Sequence, residues 1–103
     1  MITINGEHWR AVLVPPYHPQ LRRSDGSTTL GACDDNEKTI YIDETVNDHY
    51  LKKVLCHELT HAAMFSYNID LSYEQEEVVA DIIATYGADI IDMTNTIFNR
   101  LRN

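Results

Sequence analysis

A chain of 103 residues can bury one core but is too short for two lobes closing on a deep cleft, so a single domain over 1–103 is expected. Eight Lys and Arg against sixteen Asp and Glu leave a net charge of −8, which opposes binding to nucleic acid or an anionic membrane surface. No run of 18 apolar residues occurs, the N-terminus lacks the basic start and apolar stretch of a signal peptide, and Cys33 and Cys56 form no C-x-x-C pair. A cytoplasmic protein with two packed thiols is the expectation.

Residues 1–45 read as mainly β. Ile2 to Ile4 and His8 to Val14 flank the turn pair Asn5-Gly6, a hairpin signal, and Pro15-Pro16 and Pro19 end that element. Gln20 to Ser27 reads as a polar loop. Thr28 to Ala32 and Thr39 to Ile42 form a second predicted strand pair, with Ile40 and Ile42 on one side and Tyr41 and Asp43 on the other.

Residues 46–103 read as mainly α, which makes the fold class α+β. Thr45 or Asn47 can cap a helix running to about Ser66, with Leu51, Val54, Leu55, Leu59, Ala62 and Phe65 as its apolar side and Asn68 as its stop. Ser72 with Gln75 is a capping-box signature for a helix from about Tyr73 to Tyr86. Its body, Val78 to Ala84, is almost wholly apolar and predicts burial on several sides. Gly87 predicts a break, followed by a last helix from Ala88 to about Leu101, so two helices follow the first.

The first of these helices carries His57-Glu58-Leu59-Thr60-His61. Residues four apart lie one above the other on a helix, so His57 and His61 can share one metal ion. Glu58 is placed to hold a water against that metal without being a ligand. Two imidazoles and a carboxylate general base make up the H-E-x-x-H arrangement of zinc metalloproteases. Cys56 projects about 100° away from His57 and reads as core.

A catalytic zinc takes three protein ligands and leaves the fourth position open. The next helix offers Glu74, Glu76 and Glu77, an acidic first turn that would also suit the positive end of a helix without any metal. Asp81, the one acid in the apolar run, selects among them, because a buried carboxylate needs a partner. Glu77 lies one turn before it. The expected metal ligands are therefore His57, His61 and Glu77, with Glu76 as the alternative third ligand and Asp81 accepting the N–H of a ligand histidine. His8, His18 and His49 have no such context.

His57-Glu58-x-x-His61 followed by Glu77-x-x-x-Asp81 resembles the gluzincin metallopeptidases. The wider string is similar to small phage and prophage proteins of Gram-positive bacteria grouped with the ImmA/IrrE-type metallopeptidases: Ile4-Asn5-Gly6, Gly31 before Ile40-Tyr41-Ile42, Val54 to Ala62, and Glu76 to Asp81. The third motif departs from that family's Glu-Ala-Asn type. The resemblance implies a minimal zincin-like fold, with a small antiparallel sheet packed on the active-site helix. It also implies that a sheet edge, Thr39 to Asp43 or Thr28 to Ala32, holds substrate as an added strand.

The expected activity is hydrolysis of a peptide bond in a protein or peptide substrate, with Zn²⁺ as cofactor and Glu58 as general base. Tyr73, Tyr67, Tyr86 and His49 are candidates for the oxyanion donor. The competing reading is a non-catalytic zinc-binding interaction module, or a degenerate peptidase, acting on a phage or host regulator.

Overall fold

A computed structural model describes all 103 residues. Strands β1 (Ile2–Ile4), β2 (Glu7–Val14), β3 (Gly31–Asp34) and β4 (Thr39–Asp43) precede helices α1 (Asp48–Ser66) and α2 (Tyr73–Arg102). The class is α+β.

The β1–β2 hairpin forms where Asn5 and Gly6 both take positive φ, the backbone that a two-residue turn with matching twist requires. The sheet order is β1-β2-β4-β3. β4 pairs antiparallel with β3 but parallel with β2, Arg10 to Val14 lying beside Thr39 to Asp43. The expected all-antiparallel sheet is thus a mixed one. A parallel pair needs a long crossover, and the segment from Pro15 through β3 supplies it, inserting β4 between its two neighbours. As a result β4 is central, and only β3 of the two proposed substrate edges lies at an edge, starting at Gly31 rather than Thr28.

Within that crossover, Pro19–Leu21 forms a turn of 3₁₀ helix in the stretch expected to be a polar loop. Leu21 is fully buried there, and His18 accepts the Gln20 N–H and stacks on Tyr41. Ile40 and Ile42 face inward from β4 and join Trp9, Val54 and Ala62 in the core between sheet and α1, with Leu51, Leu55 and Leu59 packed around them. The Trp9 indole N–H donates to Ser66 Oγ at 2.7 Å and the Asn5 amide donates to the Ser66 carbonyl at 2.9 Å, which pins the hairpin to the last turn of α1.

Asn47 caps α1 and Asn68, at positive φ, ends it. Ser72 and Gln75 close a complete capping box on α2. α2 then runs unbroken to Arg102, one helix of 30 residues where two were expected. A helical glycine costs only about 1 kcal/mol, so Gly87 alone does not interrupt it. The expected burial of Val78 to Ala84 is also corrected. Only Ala80 is buried, while Val78, Ile82 and Ile83 are exposed, because α1 covers one side of α2 and nothing covers the others.

Candidate metal centre

The α1–α2 contact brings together residues from two consecutive turns of each helix. His57 and His61 point the same way from α1, and their Nε2 atoms lie 3.1 Å apart. Glu77 reaches across from α2, its Oε1 2.7 Å from His61 Nε2 and 3.5 Å from His57 Nε2. The opposite ring nitrogens each meet an acid. His57 Nδ1 lies 3.0 Å from Asp81 Oδ1, and His61 Nδ1 lies 2.6 Å from Glu76 Oε1.

Those two carboxylates determine what the centre can hold. An acid at Nδ1 keeps the proton there, which leaves each Nε2 with a bare lone pair. Two lone pairs and a carboxylate oxygen then crowd one point, an arrangement that repels itself until a cation occupies it. Ligand atoms about 2.0–2.1 Å from a tetrahedral zinc lie about 3.3 Å from one another, and the observed 2.7 to 3.5 Å brackets that value. The donor set His57, His61 and Glu77 therefore fits a divalent metal with one position open.

Glu58 stands beside this group, buried in α1. Burial pushes its carboxyl above the usual carboxylate range, the two histidines oppose that shift, and Glu77 adds to it. Gly31, the first residue of β3, makes room for it. A Cβ built there would fall 2.9 Å from Val54 Cγ1 and 3.0 Å from both Cγ and Oε2 of Glu58. Any side chain at this position would displace Val54, the glutamate or the strand.

The centre opens into a cleft of about 440 Å³ whose remaining walls include Arg23, Thr29, Cys33, Phe65 and Tyr73. An adjoining hollow of about 280 Å³ shares Arg23, His57, Glu58 and Glu77 and adds Tyr50, Lys53 and Asp81. Burial, reinforced by Glu58, pushes the Cys33 thiol up to about 12, so it faces the cleft as a neutral group. Cys33 and Cys56 are both free.

His57, Glu58, His61, Glu77 and Asp81 thus lie together. Asp81 has the expected histidine partner but not the expected burial: its side chain is 69% exposed. Glu76, weighed as an alternative ligand, instead holds the second histidine, a role that periodicity could not separate from ligation. Of the four oxyanion candidates only Tyr73 lines the cleft; Tyr67, Tyr86 and His49 do not. Arg23 was not anticipated, since it comes from an irregular loop in which no spacing singles it out. No protein-family model, curated protein or solved structure matches this chain.

Proposed function

We propose that this protein is a zinc-dependent peptidase with a minimal zincin-like architecture. The observation that carries the reading is the convergence of His57 Nε2, His61 Nε2 and Glu77 Oε1 beside the buried carboxylate of Glu58. A structural zinc is normally closed by four protein ligands, whereas this chain supplies three and an adjacent base. Zinc held there would bring the pKa of a water in the open position to about 7 and polarise a scissile carbonyl.

The chain's own groups perform the remaining steps. Glu58 takes a proton from the attacking water and delivers it to the leaving amine. Asp81 and Glu76 hold the imidazoles in one tautomer and orientation. Arg23 and Tyr73 line the cleft and are candidate donors to a developing oxyanion. β3 is the edge strand next to the centre, and its Gly31 and Cys33 line the cleft, so an extended peptide can pair with it as a fifth strand. The acidic surface and this backbone-pairing edge favour a protein or peptide substrate over nucleic acid.

The test is zinc content of the purified protein, Glu77→Gln and Glu58→Gln by elemental mass spectrometry, with cleavage of a peptide library by each. The expected result is about one zinc per chain, much reduced in Glu77→Gln and retained in Glu58→Gln, with cleavage lowered by Glu58→Gln about 10²–10⁴-fold. Equal zinc in all three proteins would overturn the ligand set. Bound zinc with no cleavage by the parent protein would instead make it a non-catalytic metal-binding module.

A further inference from the structure

From Ala88 to its end, every residue of α2 is exposed. That half projects beyond the body of the molecule, which measures 54 × 30 × 28 Å. It is not a polar helix. Val79, Ile83, Tyr86, Ile90, Met93 and Ile97 recur at alternating spacings of four and three, the a/d pattern of a coiled-coil seam, and all but the half-buried Val79 are exposed. Ala80, which turns toward α1, lies about 100° around the helix from Val79, so α1 and this seam occupy different sides.

The amount of exposed surface argues in the same direction. Surface-to-mass scaling gives a folded monomer of 11.8 kDa about 5,900 Å². This chain exposes 7437 Å², a surplus of about 1,500 Å² over that scaling. A standard stable interface takes about 800 Å² from each partner, so the surplus is sufficient for one.

The seam is complementary to itself. About a two-fold axis at residue 88 in an antiparallel pair, Val79 meets Ile97 of the second copy, Ile83 meets Met93, and Tyr86 meets Ile90, so each apolar residue faces another. The next layer outward sets Glu76 opposite Arg100. A parallel pair would instead set Glu76 on Glu76 and Arg100 on Arg100. We infer that the protein is an antiparallel homodimer paired along α2 through Val79, Ile83, Tyr86, Ile90, Met93 and Ile97. On the flank toward α1 the same register gives Ile91 and Phe98 the second copy's α1 as cover.

Sedimentation of the full chain at about 10 µM, a concentration that populates any complex of micromolar affinity or better, reads the outcome. The expected species has twice the 11.8 kDa chain mass. Ile90→Glu is expected to halve that mass while Trp9, the single and fully buried tryptophan, keeps its native fluorescence. Should Ile90→Glu lose that fluorescence, Ile97→Glu at the projecting end replaces it with the same expected result. For orientation, in a background with Cys33 and Cys56 replaced by Ser, Val79→Cys with Ile97→Cys should form a disulfide-linked dimer. Ile97→Cys alone should not, because its two copies lie about 27 Å apart. A monomeric parent, a folded glutamate variant of unchanged mass, or ready cross-linking of Ile97→Cys alone would each overturn the proposal. The first of these would leave the stripe to a different protein or to a lipid surface.

Discussion

Glu76 and Asp81 perform the same task at unequal exposure, and exposure should set what each is worth. Glu76 holds His61 with its side chain 18% exposed, whereas Asp81 holds His57 at 69%. Water can replace Asp81 more easily than Glu76. Removal of an orienting carboxylate costs about 10–100-fold in metal affinity, so Glu76→Gln should fall toward the upper end of that range and Asp81→Asn toward the lower, as read by competition with a zinc chelator. Gly31→Ala should show the opposite pattern, keeping zinc but losing cleavage, because its Cβ collides with Glu58 and Val54 rather than with a ligand. Overpacking of this kind costs about 1–3 kcal/mol, a loss that a urea titration run beside the peptidase assay would detect. At this scale the His57–His61 pair was legible because both residues sit within one turn of one helix. Arg23 was not, because only the crossover's path carries it to the cleft. Asp81 was assigned its partner through an expectation of burial that the structure does not meet.

Among the elements, the hairpin and the helix caps were readable because each depends on residues within three or four positions of one another: Asn5-Gly6, Asn47, Ser72 with Gln75. Strand direction was not. The alternation that buries Ile40 and Ile42 is the same in parallel and antiparallel pairing, so β4 could be placed as a strand without placing it between β2 and β3. The length of α2 was missed for a related reason, since a single glycine carries little energy against thirty residues of helix. Of the two hydrogen bonds that attach the hairpin to α1, one uses the buried hydroxyl of Ser66. Ser66→Ala leaves the Trp9 N–H without a partner in the core and should cost about 1–3 kcal/mol of stability. Trp9→Ala, which also empties the centre of the core, should cost about 3–5 kcal/mol, both measured as a shift in urea midpoint.

The whole molecule is more extended than its length requires. Its radius of gyration is 15.5 Å, against about 13 Å for a compact chain of this size, and the projecting half of α2 accounts for the difference. α1 is the only element against which α2 packs extensively, and the histidine–carboxylate centre lies at that contact. A metal bridging His57, His61 and Glu77 would therefore act as a rivet as well as a reagent. Free zinc at 100 times its dissociation constant would add about 2.7 kcal/mol, which in a domain this small raises the melting temperature by on the order of 10 °C. Stripping with EDTA should reverse that rise in a calorimeter, and no dependence on zinc would argue against the bridge. With the rivet withdrawn, only side-chain packing and the histidine–carboxylate contacts would hold α2 against α1. Metal supply would then set how firmly the two helices are held together, so that a cell short of the ion would hold a looser chain, more open to proteolysis.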